Sequence, residues 1–329
     1  MGKGRNGRSL ARSCGEGNAL LREVHPADRP LRDLDATLDS WQVLSAGVPA
    51  LEGEANDDRE PVDVVGRTSR VKKRTWAIVV FTGLAIALAL ILPATPQPPA
   101  YHDFADSRRM FGVANFLDVT SNVAFLLVGV AGLIVAARAR TRFRIGAERL
   151  PYLVFFAGVL LTAIGSGYYH LSPDNETLFW DRLPMTMAFM ALISAQVAER
   201  ISLRAGLLLL LPMLLVGAVS VFYWRATERA GVGNVIPYGV LQAYAVVALL
   251  LIAMTPSHYT RGGDIYWVFA AYVGAKILEA LDRRFLDIGN VVSGHTLKHL
   301  AAAMAGYVVF RMLALRAPTS MSHDRTGGR

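Results

Sequence analysis

The chain has 329 residues, of which 53% are apolar and 18% are charged. Several apolar runs reach the roughly 18 to 20 residues needed to cross a bilayer core, which excludes an ordinary soluble domain. The net charge of +8 does not indicate nucleic-acid binding, because the arginines cluster in short segments between apolar runs, as orientation signals do.

The N-terminal segment, residues 1–74, is rich in Arg, Gly, Asp and Glu and has only scattered apolar positions. This composition buries too little apolar surface to offset chain entropy, so we predict a disordered tail. A basic run ending at Arg74 precedes an apolar run over 75–95, which predicts an N-terminal transmembrane or signal-anchor helix. The same pattern suggests that translation starts at Val71 and that the preceding tail is an artefact of the gene model.

A cluster of prolines ends this helix, and one compact block follows over 101–316. Further apolar runs predict helices at 115–137, 150–170, 182–200, 205–224, 235–254, 265–282 and 294–315. No long loop separates these runs, so they form one domain, and residues 317–329 form a loose polar tail. The predicted fold is an all-α integral membrane protein, a seven-transmembrane helix bundle with one extra N-terminal transmembrane helix.

The distribution of lysine and arginine predicts the orientation of this bundle. The loops on the side of the N-terminus hold the larger share, led by the clusters at 67–74 and 138–149. Because positively charged loops stay in the cytoplasm, we predict a cytoplasmic N-terminus. A composition rich in Ala, Arg and Gly without compartment signals suits a bacterial inner membrane.

The residues able to carry chemistry gather on the opposite, periplasmic side. Ser166 and His170 stand at i and i+4 near the end of one apolar run, and His295 and His299 repeat this spacing at the start of the last. Asp181 follows His170 by eleven residues. Neutral imidazole is a preferred zinc ligand, and a three-histidine set leaves a position for water. The lone cysteine lies in the polar tail, so we predict a metal held by the three histidines.

Each of these residues also has a plainer interpretation. A histidine at a membrane boundary is often an interfacial polar group. Ser166 between two glycines could allow close helix packing, and Asp181 beside Arg182 could form a surface ion pair. Glu279 and Asp282 approach the same side, where either could orient a ligand histidine, although Glu279 can instead pair within its own helix.

The pattern resembles the metal constellation of the alkaline ceramidases, within the superfamily of seven-helix membrane hydrolases that includes the progestin and adipoQ receptors. The resemblance covers roughly residues 101–315 and includes Ser121-Asn122 in the first core helix. The positions that match in identity, order and local spacing are Ser166, His170, Asp181, His295 and His299.

This resemblance implies a role for each matched residue. The three histidines would hold zinc, Ser166 would support the metal site and the oxyanion, and Asp181 would bind and deprotonate the zinc-bound water. Eukaryotic alkaline ceramidases also carry a calcium-binding set, of which Asp103 and Asp106 look like weak remnants. Arg108 stands where an asparagine ligand is expected and Asn115 where a glutamate is expected. These departures argue against bound calcium and leave the lipid head group open.

We therefore predict a zinc-dependent intramembrane amide hydrolase that acts on ceramide-like N-acyl lipids. A zinc held by three imidazoles lowers the pKa of bound water to about 7 and polarises a carbonyl, and Asp181 could then pass a proton to the amide nitrogen. The predicted partner is a membrane lipid; no nucleic acid or protein partner is indicated. The alternatives are a non-enzymatic zinc-stabilised receptor or lipid-binding protein of the same architecture and, less well supported, a transporter, which would be expected to show internal repeats.

Overall fold

The computed structural model describes residues 64–138 and 142–319, and over these residues the regular secondary structure is helical, without a β-strand. The prediction of an all-α fold is confirmed. The α-helices are α1 Val64–Ile91, α2 Phe116–Ser121, α3 Val123–Arg138, α4 Arg149–Leu171, α5 Asn175–Arg200, α6 Leu203–Arg229, α7 Ile236–Ala253, α8 Ile265–Ala280, α9 Asp282–Asp287 and α10 Gly294–Leu315.

Two predicted boundaries differ from the structure. Helix α1 begins at Val64, so the predicted tail boundary at 74 is too late; Arg and Lys are good helix formers, and the basic run continues the helix. Residues 1–63 lie outside the described part. At the other end, Ala317 and Thr319 pair through backbone hydrogen bonds with Thr260 and His258, both 2.9 Å long. This start of the predicted loose tail is therefore fixed, because backbone partners are available to it, and 320–329 lie outside the described residues.

Within the described ranges, five helical segments are long and apolar enough to cross a membrane, which makes this a membrane protein. The five segments are Phe116–Arg138, Gly146–Leu171, Leu203–Arg229, Ile236–Ala253 and Gly294–Leu315. Helices also occupy the other predicted spans. Helix α8 has only 16 residues, and α5 carries charged residues but is buried along most of its second half, so its composition reflects protein packing as well as lipid contact.

Helices α4 and α5 pack closely because glycines of α4 face the backbone of α5. A Cβ at Gly158 would lie 2.8 Å from the backbone nitrogen of Ala188, and one at Gly165 would overlap the carbonyl oxygen of Trp180. Pro184 has no N–H, so it cannot supply the helical hydrogen bond that this Trp180 carbonyl would otherwise accept. The two helices are therefore in close backbone contact next to Ser166 and Asp181.

A buried polar cluster lies at the end of the bundle that is remote from Ser166 and Asp181. Arg316 donates a 2.7 Å hydrogen bond to Glu199, and Tyr152 donates another of 2.7 Å to the same carboxylate oxygen. The Arg316 guanidinium also lies 4.0 Å from the ring centre of Tyr259. Because these residues come from α4, α5 and the segments that flank α8 and α10, the cluster fixes the helix ends remote from the histidines.

Candidate metal centre

The three predicted histidines meet inside the bundle. His170 at the end of α4 and His295 and His299 at the start of α10 are 1%, 6% and 3% exposed. Their rings stand 4.9 Å apart, centre to centre, in all three pairs. One nitrogen from each lies within 4.8 Å of the other two, and the Nε2 atoms of His170 and His295 are 3.4 Å apart.

Helix α10 begins where it does because its N-terminus is capped and pressed against α8 and α9. The Ser293 hydroxyl accepts a hydrogen bond from the Thr296 backbone N–H, as N-cap serines do. Asp282 accepts a 2.7 Å hydrogen bond from the backbone N–H of His295. A Cβ at Gly294 would lie 2.7 Å from the Cα of Asp282. The Asp282 side chain therefore holds the backbone of His295, a candidate ligand. The sequence had left this role open.

Helix α2 supports the second histidine of α10. The Ser121 hydroxyl lies 2.7 Å from Nδ1 of His299. Buried Asp118 accepts a 2.6 Å hydrogen bond from the hydroxyl of Thr296, and its other carboxylate oxygen has no hydrogen-bond partner. These contacts therefore hold the start of α10 and the ring of His299 in place.

The segment before α2 covers the cluster from the other side. Phe104 packs its ring 4.6 Å from that of His170 and 4.4 Å from that of His295. Asn115 donates a 2.8 Å hydrogen bond to the backbone carbonyl of His170. It does so from the left-handed region at φ 47°, which asparagine tolerates better than most residues. The end of α4 is thereby held under this segment.

The donor set fits a metal ion. Two nitrogens bound to a tetrahedral zinc at 2.0–2.1 Å would lie about 3.3 Å apart, close to the 3.4 Å between the Nε2 atoms of His170 and His295. Nδ1 of His170 is buried without a hydrogen-bond partner. Three buried imidazoles without a carboxylate among them are a set that suits an imidazole-preferring ion such as zinc.

Asp181, the carboxylate predicted to act beside the metal, lines a cavity next to the histidines. Ser166 and Asp181 line the same cavity as His299. Arg182 does not form the surface ion pair considered above, because it is only 3% exposed. Its guanidinium instead lies 4.2 Å from the ring centre of Trp224 and 4.5 Å from that of Tyr238.

The cavity extends from His299 into the apolar interior of the bundle. Its wall comes from α3, α4, α5, α7, α8 and α10 and is mainly aliphatic and aromatic. It reaches Leu249 on α7 and Ile265 at the first turn of α8, which lies at the far end of the bundle. An apolar cavity with a few polar groups at one end suits a lipid chain whose polar part lies at the histidines.

The proposed calcium remnants are engaged differently. Arg108 donates hydrogen bonds of 2.7 and 2.6 Å to the two carboxylate oxygens of Asp106 and 2.7 Å bonds to the carbonyls of Asn290 and Val291. The Arg108 hydrogen bond lowers the pKa of Asp106. Asp103 follows the 3-10 helix Pro99–His102, and its backbone N–H donates to Ala100. A guanidinium thus neutralises Asp106 in the described structure.

Four neighbours of the histidines carried weak or no signals in the sequence. Ser121 is part of the family resemblance. Asp118 is a carboxylate in an apolar run, and an ionisable residue in such a run indicates a functional role. Lys298 stands between His295 and His299 in the sequence, and its Nζ lies 3.0 Å from Nε2 of His295. Phe104 gave no signal, because its contacts join segments that are distant in sequence.

Comparison with known proteins agrees with this geometry. A family model described as ceramidase matches residues 108–326, more than half of the chain. No curated protein matched the chain. The chain therefore belongs to the ceramidase family, whose members are hydrolases acting on the amide bond of ceramide.

Proposed function

We propose that this protein is a zinc-dependent hydrolase of ceramide-like N-acyl lipids, with His170, His295 and His299 as the zinc ligands. The observation that supports this most is the meeting of three buried histidines, one of which, His299, lines an apolar cavity together with Ser166 and Asp181. When bound there, zinc would supply a Lewis acid for a carbonyl oxygen and lower the pKa of a water molecule.

The residues around the histidines would prepare them for this role. The Ser121 hydroxyl donates to the backbone carbonyl of Asp118 at 2.9 Å, so it is free to accept from Nδ1–H of His299 at 2.7 Å. This arrangement keeps the lone pair of His299 on Nε2, the nitrogen available to a metal. Asp282 holds the backbone of His295, and Asn115 holds that of His170.

Asp181 would move the proton in the reaction. It would accept a proton from the attacking water as the water oxygen bonds to the amide carbon. It would then deliver that proton to the amide nitrogen as the C–N bond breaks, which releases a fatty acid and a free amine. Ser166, which lines the same cavity as Asp181, would donate its one hydroxyl proton to the developing oxyanion.

The cavity would hold the acyl chain and exclude bulk water. Its aromatic and aliphatic wall continues from Thr162 and Met185 near the polar end to Leu249 and Ile265. Burial of the chain would fix the amide against the polar end, and positioning of this kind contributes much of the rate in enzymes. Calcium is not part of this proposal.

We also propose that the site faces the periplasm of a bacterial inner membrane, with a cytoplasmic N-terminus. The support is the distribution of positive charge, since the loop between α3 and α4 carries Arg142 and Arg144, and α4 begins with Arg149, at the end of the bundle opposite the histidines. Positive loops of this kind are retained in the cytoplasm.

The direct test is hydrolysis by purified full-length protein in detergent or nanodiscs. Release of free fatty acid and amine from an N-acyl sphingoid lipid should be abolished by chelation and restored by zinc more effectively than by magnesium or calcium. Absence of hydrolysis on every N-acyl lipid tested, with zinc bound, would instead support the receptor or lipid-binding alternative.

A further inference from the structure

The polar end of the cavity carries a group of charges that the hydrolytic mechanism does not use. Among the residues lining the cavity, Lys276, Glu279 and Lys298 form this group, and Asp181 is the other charged residue. Lys276 forms an ion pair with one carboxylate oxygen of Glu279, and Lys298 lies 3.3 Å from the other oxygen. One carboxylate is shared by two ammonium groups, so this group has an excess of positive charge.

Lys298 is the more sheltered of the two lysines. Its side chain is 18% exposed, whereas that of Lys276 is 53% exposed. A charged group that is sheltered in this way needs partners for its charge. The Lys298 ammonium lies 3.0 Å from Nε2 of His295. If that nitrogen binds a metal, its lone pair is no longer available to Lys298, and Glu279 remains as the acceptor on the protein. Donor capacity is then left over beside the metal ligands.

Asp181 is the one other carboxylate that lines the cavity, and the proposed reaction uses it for proton transfer; the remaining nearby carboxylates, Asp282 and Asp118, hold the protein backbone and side chains instead. Asp282 accepts from the backbone N–H groups of His295 and Ala105, at 2.7 and 2.9 Å. Asp118 accepts from the Thr296 hydroxyl. Neither lines the cavity, and both are committed to holding the start of α10.

We propose that Lys276 and Lys298, termed here the lysine pair, bind an anionic group on the head of the substrate, so that the substrate class is an N-acyl lipid bearing a phosphate, sulfonate or carboxylate close to its amide. The amide part of this inference rests on the proposed function. The position follows from Lys298, since an anion bound to it would lie within a few ångströms of His295. Charge-assisted hydrogen bonds in such a partly desolvated place are stronger than neutral ones.

The test compares lipids that share one acyl chain and differ in head-group charge. Purified protein in nanodiscs is given a ceramide, the matching ceramide 1-phosphate and the matching N-acylglycine, and both equilibrium binding and kcat/KM are measured. The wild type should favour the anionic lipids by about tenfold or more, the smallest effect expected of one charge-assisted hydrogen bond. The phosphate and carboxylate arms show which anion is preferred.

Removal of the charge, with most of the side-chain length kept, then assigns the effect. Lys298→Met should reduce the preference to about twofold or less, because loss of a single charge-assisted hydrogen bond accounts for about tenfold. Lys276→Met should reduce the preference only partially. The control is Arg284→Met, which removes an exposed charge from α9 on the same end of the bundle but outside the cavity. It should leave the preference unchanged.

The outcomes separate this inference from the proposed function. Hydrolysis of ceramide with no preference in binding for the anionic lipids would overturn the anion site and leave the hydrolase proposal standing. Preferential binding that depends on the lysine pair, without hydrolysis of any lipid, would do the reverse. If Lys298→Met fails to fold, as judged by thermal unfolding and zinc content, an undiminished preference in Lys276→Met would overturn the inference, and a reduced one would support it.

Discussion

The Ser121 hydroxyl and the His299 imidazole are joined by a 2.7 Å contact between Oγ and Nδ1. The two residues come from the first and last helices of the core and are 178 positions apart in the sequence. Because the hydroxyl proton is directed to the Asp118 carbonyl at 2.9 Å, the serine accepts from the histidine. This contact selects the nitrogen that His299 can offer to a metal.

The serine should therefore matter to metal affinity more than to folding. Loss of a hydrogen bond that orients a ligand histidine typically weakens metal binding by about 10- to 100-fold, and we expect Ser121→Ala to fall in this range for zinc. Competition with a zinc-chelating dye would measure it. The matched control is Ser220→Ala, since that hydroxyl donates to Gly217 within its own helix. Equal zinc affinity in the two variants would contradict the orienting role.

Zinc content should depend on the histidines of α10. We expect about one zinc per chain in the wild type and loss of most of it in His295→Ala or His299→Ala, because two imidazoles hold zinc poorly. Elemental analysis of protein purified without added chelator would show this. His258→Ala serves as the control, since His258 is exposed and lies on the loop between α7 and α8, at the other end of the bundle. Full zinc occupancy in either α10 variant would refute the ligand assignment.

Removal of the Asp181 charge should separate catalysis from metal binding. Asp181→Asn keeps the shape of the side chain but cannot accept the proton, so activity should fall by about 100-fold or more while zinc and fold are retained. Fatty-acid release and zinc content measured on the same sample would test this. Asp287→Asn, an exposed carboxylate of α9, should retain full activity. Near-wild-type turnover by Asp181→Asn would remove this residue from the mechanism.

Two neighbouring glycines of α4 should respond in opposite ways to the same substitution. Gly165→Ala would force a Cβ into the Trp180 carbonyl and should destabilise the protein by about 1–3 kcal/mol, the usual cost of overpacking. At Gly167 a Cβ meets nothing within 4 Å, and Gly167→Ala should be neutral or stabilising by up to about 1 kcal/mol, because alanine favours helix. Thermal unfolding of both variants tests this, and equal stability would argue against the close approach of α4 and α5.

The sidedness of the site can be tested with introduced cysteines in a Cys14→Ser background. Arg284→Cys lies at the histidine end and Arg204→Cys at the start of α6, at the other end, and both positions are exposed. A membrane-impermeant thiol reagent added to intact spheroplasts should label the first and spare the second, because the positive loops predict a periplasmic site. The reverse pattern would place the site on the cytoplasmic side.

The sequence by itself was sufficient for the features that depend on local pattern. Apolar runs long enough to span a bilayer placed the helices, because each span is specified by its own composition. The i, i+4 spacing of His295 and His299, and of Ser166 and His170, put each pair on one helix face. The order of the predicted spans put both pairs at the same side of the membrane. The structure brings the three histidines of these pairs together.

The contacts that complete the site were decided only by the tertiary structure. Phe104 lies over His170 and His295, Asp282 holds the start of α10, and Lys298 is directed to His295 and Glu279. The same applies to Arg182, which stands beside Asp181 in the sequence yet is buried among aromatic rings. Such contacts depend on how each helix is rotated and how closely it packs, which is set by interactions between segments far apart in the chain, such as Gly165 against Trp180.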